Sequence, residues 1–144
     1  MSLPFNPASI KKYSAIKIRH YFADHSYHEY KRFVVLGHRD EYLICIKATT
    51  QVELYKNNRE KMAGCVYYCA KELQFFEKDT AVEPDNQFAI PYSEIIQAYK
   101  DGEFHILGEM PDTFEVDLLN AIEDSGTLSQ VESARLKSLI EAPD

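Results

Sequence analysis

Hydrophobic and polar residues keep a period of two through most of the first two thirds of the chain and then change to a helical period. In SAIKIRHYF (14–22), Ile16, Ile18, His20 and Phe22 alternate with Lys17, Arg19 and Tyr21, which predicts a half-buried strand with a basic outer face. ADHSYHEYK (23–31) reads as a polar loop. RFVVLG, the turn HRDE and EYLICIKA then predict an antiparallel hairpin, because both runs are rich in β-branched and aromatic residues and are too short for helices. The second run stops abruptly in Thr49, Thr50 and Gln51. VELYKNNREKMA (52–63) is polar and fits either a weak helix or a long connection. GCVYYCA (64–70) and ELQFF (72–76) predict two more strands, and QFAIPY (87–92) another in which Pro91, lacking an amide hydrogen, belongs at an end or an edge.

From residue 93 the period becomes helical. Ser93 is placed to cap a helix with Ile95, Ile96 and Tyr99 turned inward, stopping at Asp101-Gly102, and EFHIL follows as a short strand. In PDTFEVDLLNAIEDSG, Asp112 and Glu115 have N-cap and N3 spacing, with Phe114, Leu118, Leu119 and Ile122 on one face. In TLSQVESARLKSLIEA, Ser129 and Glu132 repeat the device, and Val131, Leu136, Leu139 and Ile140 form the apolar face. Short strands followed by a helical hairpin predict the α+β class, with a small, strongly bent antiparallel sheet or barrel. One domain is expected over 1–144: a barrel with one helix in 14–100, then a short strand and an acidic helical hairpin in 101–144.

Composition narrows the class. The 144 residues suit one domain, no long apolar run suggests a membrane span, and three cysteines (Cys45, Cys65, Cys69) make a poor disulfide framework. MSLPFNPASIKKYSA has no apolar signal core, so a cytoplasmic protein is expected. The net charge of −7 argues at first against a polyanionic partner. Its distribution matters more: residues 11–47 carry eight Lys/Arg against four acids, together with His20, His25, His28 and His38, whereas residues 101–144 carry eleven acids and two bases. One basic region on an acidic body can hold a phosphate; it also fits a solvated face. GxGxxG and P-loop patterns are absent, which removes the usual nucleotide-cradling motifs.

Individual candidates have plain readings beside functional ones. Thr-Thr at a strand end fits β-propensity with local backbone hydrogen bonding. His20, on an apolar face, suits a satisfied core histidine. His20, His25 and His28 with Asp24 and Glu29 do not have a recognised metal-ligand spacing, and no metal is expected. Cys65 and Cys69 read as buried thiols. Tyr13, Tyr21, Tyr27, Tyr30 and Tyr42 are interleaved with basic residues, which suits stacking on unpaired bases and equally a protein interface.

The run FVVLGHRDEYLICIKATTQ resembles the core hairpin of the MazF/PemK/Kid-type toxins, plasmid-maintenance and cell-growth inhibitors, in which a basic residue precedes a VVL strand and the next strand closes in Thr-Thr or Thr-Ser. TAVEPDNQFAIPYSEI (80–95) is similar to the family's later strand, where an acid and an amide precede a β run and a helix. The resemblance spans roughly residues 14–100. It implies an SH3-like barrel, a homodimer, an antitoxin-like protein partner and cleavage of single-stranded RNA by attack of the ribose 2′-hydroxyl, without metal or cofactor. Carried over, the phosphate-binding charge falls on Lys31 or Arg32, the strand-end hydroxyls on Thr49 and Thr50, and the proton acceptor on Glu29 or His28. Lys17 and Arg19 on the basic strand, with Asp85 and Gln87, would contact RNA. The alternative is a non-catalytic interaction module on the same barrel, and the two part on whether Arg32, Thr50 and an acid converge.

Overall fold

The computed structural model describes residues 5–21, 28–50, 52, 62–73 and 75–143, with only the backbone described at 20, 21, 28 and 29. Six strands, β1 (Ser14–Tyr21), β2 (His28–Arg39), β3 (Tyr42–Thr49), β4 (Val66–Tyr68), β5 (Thr80–Pro91) and β6 (Phe104–Glu109), form one antiparallel sheet in the order β4-β5-β3-β2-β1-β6. Among the described residues three α-helices of two turns or more accompany it: α1 (Tyr92–Lys100), α2 (Phe114–Asp124) and α3 (Gln130–Glu141). The architecture is the expected α+β one, a strongly curled half-barrel whose last two helices pair at the C-terminal end.

The central strands are apolar on both faces because both are covered. On one side Val34, Leu36, Ile46, Ala48 and Val82 meet Phe114, Leu118, Ile122, Leu136 and Ile140 from α2 and α3. On the other side Ile16, Ile18, Phe33, Val35 and Cys45 meet Ile95 and Ala98 of α1 and Ile10 from the N-terminal segment. FVVL is therefore a continuous buried run, as in sheets covered twice, with no alternation of its own. Burial pushes the Cys45 thiol far above its usual range.

The β2–β3 hairpin closes more tightly than the HRDE reading. His38 and Arg39 remain in the strand, and the turn is Asp40-Glu41, both at positive φ (48° and 65°). Such a two-residue turn matches the twist of the strands it joins. The Glu41 carbonyl accepts the first amide of α1, Tyr92 N–H, at 3.0 Å. This bond replaces the expected side-chain cap: Pro91 is the N-cap and Ser93 lies inside the first turn. His38 ties the same corner together, its Nε2 bonded to the Ile10 carbonyl at 2.8 Å and its Nδ1 to the Tyr92 hydroxyl at 2.6 Å. At the other end of α1, Gly102 takes φ +72°, and Tyr99 is 52% exposed with its ring stacked on Phe5, so it does not point into the core as read.

Several other expectations change. β2 starts at His28, so Tyr30 and Lys31 lie in a strand. β5 starts at Thr80, seven residues before QFAIPY. The described residues of ELQFF form no strand: Leu73 and Phe76 are both buried, and the Phe76 amide bonds the Leu73 carbonyl, a turn that shares its apolar content with a strand but not its period. α2 is capped at Thr113 without a side-chain bond, and Glu115 instead accepts from the Tyr13 hydroxyl at 2.7 Å. The capping box of α3, Ser129 with Glu132, forms as read. Val131 is 62% exposed, not part of the apolar face. Cys65 is half-buried and Cys69 exposed.

Candidate functional site

Neighbouring residues of a strand face opposite ways, so Lys31 and Arg32 are separated by the pleat. Arg32 shares the face of Val34 and Leu36; in register it lies between Lys17 of β1 and Ala48 of β3. Two residues beyond Ala48 comes Thr50. Arg32 and Thr50 line one cavity of about 200 Å³, whose other walls are Phe76, Glu77 and Lys78. Both cavity residues are half-buried, and among the described residues Arg32 has no ion-pair partner. A guanidinium that no carboxylate holds in an ion pair among the described residues, beside a hydroxyl and a second cation, is an arrangement suited to two oxygens of an anion.

The wall opposite Arg32 is built by the loop between β4 and β5. Asp79 fixes its far end, accepting from the Tyr67 hydroxyl at 2.8 Å and from the Ala70 amide at 2.9 Å. The bond to Asp79 is the main reason the Tyr67 phenol is pushed up to about 12. Thr80 donates to the Lys78 carbonyl at 3.0 Å, and Glu72 accepts from the Cys69 amide at 2.9 Å. Phe76 anchors the middle at 2% exposure, with its ring edge-on to Phe75 at 4.8 Å. Phe75 in turn lies over Gly108 of β6, where a Cβ would come within 2.6 Å of its ring. Glu77 and Lys78, the exposed residues after this anchor, are thereby presented to Arg32 and Thr50.

Lys31 faces the other way. It opposes Ile18 and lies within electrostatic reach of Glu83, a carboxylate 6% exposed at a bulge in β5. Lys47 is the register partner of Glu83, and Asn86 donates to its Oε2 at 3.0 Å. Loss of hydration raises the Glu83 pKa, partly offset by the Asn86 bond and by Lys47 and Lys31. Thr49 alternates away from Thr50 and sits opposite Ala81.

The remaining candidates are dispersed. Lys17 stands beside Arg32, with its ammonium 4.9 Å from the centre of the Tyr30 ring. Arg19 pairs with Glu103 at 3.3 Å. Asp85 accepts from Thr127 at 2.7 Å in the α2–α3 connection, and its charge adds to the burial that pushes the Cys65 thiol up to about 11. Gln87 lines a different cavity, about 230 Å³, with Arg39, Ile44, Phe88, Arg135 and Leu139. Neither Asp85 nor Gln87 lines the Arg32 cavity. The side chains of His20, His28 and Glu29, and all of Asp24 and His25, lie outside the described residues. Among the described residues no three His, Cys, Asp or Glu side chains gather as metal ligands, and no helix is long and apolar enough to cross a membrane.

Not all of the basic segment is available to a ligand. Lys12 donates to the Ile140 and Ala142 carbonyls at 2.8 and 2.5 Å, which places its charge at the C-terminus of α3, where the helix dipole favours a cation. With Arg19 paired and Lys47 opposite Glu83, the cations next to the threonine cluster among the described residues are Arg32, Lys17 and Lys78. Sequence reasoning missed Glu77, Lys78 and Glu83. The first two follow an apolar pair that reads as a strand; the third is a glutamate in a polar run whose burial depends on the bulge. No protein-family model and no curated protein matches the chain.

Proposed function

We propose that this protein is a MazF/PemK-like, metal-independent endoribonuclease acting on single-stranded RNA, with its site in the Arg32 cavity. The observation that carries the reading is the meeting of Arg32 and Thr50 with an acid, Glu77, in one cavity. In the proposed reaction the ribose 2′-oxygen attacks the adjacent phosphorus, the bond to the 5′-oxygen breaks, and a 2′,3′-cyclic phosphate and a 5′-hydroxyl result. Arg32 and the Thr50 hydroxyl bind the phosphoryl oxygens, where preorganised charge is most effective. Glu77 is the acid at hand to take the 2′-hydroxyl proton, a role for which Glu29 and His28 in β2 also stand near in sequence. Lys78 offsets charge at the leaving 5′-oxygen, which takes its proton from water, and Glu77 returns the 2′-hydroxyl proton to solvent. By resemblance the working protein is a cytoplasmic homodimer held in check by an antitoxin-like partner.

The test is incubation of purified protein with a long single-stranded RNA, with and without EDTA, beside an Arg32→Ala/Thr50→Ala variant. Discrete EDTA-resistant cleavage that the variant loses supports the reading. A folded protein that does not cut at high concentration overturns it in favour of a binding module on the same half-barrel.

A further inference from the structure

Tyr30 lies two residues before Arg32 in β2, on the same face and opposite Arg19 of β1. Its ring is 45% exposed, and among the described residues it has one ring contact, the Lys17 ammonium 4.9 Å from its centre. Lys17 is at the same time the register partner of Arg32. Stacking surface, bridging cation and guanidinium therefore form one row beginning at the cavity. Same-face residues in a strand are roughly 6.6 Å apart. That is comparable to the step between successive nucleotides of an extended single strand.

Resting on the ribonuclease reading, we infer that Tyr30 is a base-stacking platform that seats the nucleotide next to the scissile phosphate, with Lys17 holding the ring and meeting the intervening phosphate. Three features favour an unpaired base over a protein side chain here. The ring carries a cation 4.9 Å from its centre and is 45% exposed, so it offers surface on which a flat aromatic ligand can stack. It adjoins Arg32, which makes no ion pair among the described residues, so a nucleotide that stacks on it brings its phosphate within reach of the cavity. Its neighbouring cation Arg19 is already neutralised by Glu103, which leaves Lys17 as the local phosphate contact. Tyr30 makes no contact with the reacting atoms. It is a positioning residue and sets preference: a purine, with more ring to stack, is held better than a pyrimidine, and an abasic residue worst.

The chain contains no tryptophan, so Tyr30→Trp installs a single indole reporter at the platform. The variant is titrated with a hexanucleotide carrying 2′-O-methyl groups, which cannot be cleaved by 2′-attack, and with the same oligomer made abasic at successive positions. Saturable quenching is expected, with binding weakened roughly 5- to 100-fold by one abasic position and little by the others. On cleavable RNA, Tyr30→Leu should raise KM by a similar factor and leave kcat within a few-fold, with an unchanged melting temperature. Unmoved indole emission upon binding, or equal affinity for every abasic oligomer, overturns the platform. If RNA is cut and Arg32→Ala abolishes cutting while the indole stays silent, the ribonuclease reading stands and this inference fails. If the indole is quenched by the oligomer yet no RNA is cut, the platform stands and catalysis fails. Absence of both binding and cleavage overturns both.

Discussion

Replacing Gly108 by alanine should disturb the candidate site from the opposite edge of the sheet. The added Cβ would lie 2.6 Å from Cδ1, 2.9 Å from Cε1 and 3.2 Å from Cγ of Phe75. Carbon atoms rest at about 3.5 Å or more, so the ring must retreat by roughly 0.9 Å. It is backed by Phe76, which is 2% exposed and forms the cavity wall beside Arg32 and Thr50. Overpacking of this kind costs about 1–3 kcal/mol, whereas the stiffer unfolded chain returns about 0.4–1 kcal/mol where the backbone accepts alanine. Gly108 is not among the residues at positive φ, so the clash is the main opposing effect and a net loss of roughly 0.5–2 kcal/mol is expected. Urea denaturation should show a lower midpoint at unchanged slope, and Phe75→Leu should relieve the loss in the double variant, with a coupling of about 0.5–3 kcal/mol. A Gly108→Ala protein as stable as the parent, or strict additivity with Phe75→Leu, would refute the proposed contact. RNA cleavage, measured where both proteins are folded, should fall as the loop carrying Glu77 and Lys78 shifts.

Three further substitutions probe other parts of the account. Glu83→Gln keeps the Asn86 bond and removes a charge whose burial outweighs its lysine neighbours. Because the folded state holds this proton more tightly than the unfolded chain, wild-type stability should decline as pH rises above the ordinary carboxylate value. The glutamine variant should escape that part of the decline, and parallel urea midpoints for the two proteins from pH 4 to 8 would contradict the assignment. Ser129→Ala breaks the capping box of α3 and should cost about 1 kcal/mol by urea denaturation, against no detectable cost for Asp112→Ala, which has no cap bond to lose. Asp79→Ala removes the acceptor for Tyr67 and Ala70 that pins the cavity loop. Amide hydrogen exchange across 69–80 should accelerate well beyond any change in the central strands; uniform acceleration would mean that Asp79 supports the whole fold instead.

The elements that sequence pattern revealed are those whose burial is local. β1 and the helices α1 to α3 carry their period in their own residues, and the β2–β3 hairpin shows itself by its β-branched and aromatic runs. Where burial comes from elsewhere, the pattern misleads. Leu73, Phe75 and Phe76 look like a strand because the reason for their apolarity, the Gly108 notch and the sheet face beneath, is far away in the chain. Ser93 resembles a cap, yet the amide of Tyr92 is satisfied by a carbonyl from the hairpin turn, which no local motif encodes. At the site, the hydroxyl cluster and the Lys31-Arg32 pair were visible. The choice between the two cations required the register that sets Arg32 beside Ala48. Glu77 and Lys78 became visible only once the loop was folded over the sheet.

That choice is also the most direct test of the central claim. Arg32→Ala and Lys31→Ala should be compared in RNA cleavage, with melting temperatures to confirm folding. Adjacent in sequence and alike in charge, they differ in which face of the sheet they occupy. The account predicts a fall of about 10²–10³ in kcat for Arg32→Ala and a change within a few-fold for Lys31→Ala. The reverse order, or equal losses, would contradict a site in the cavity shared by Arg32 and Thr50.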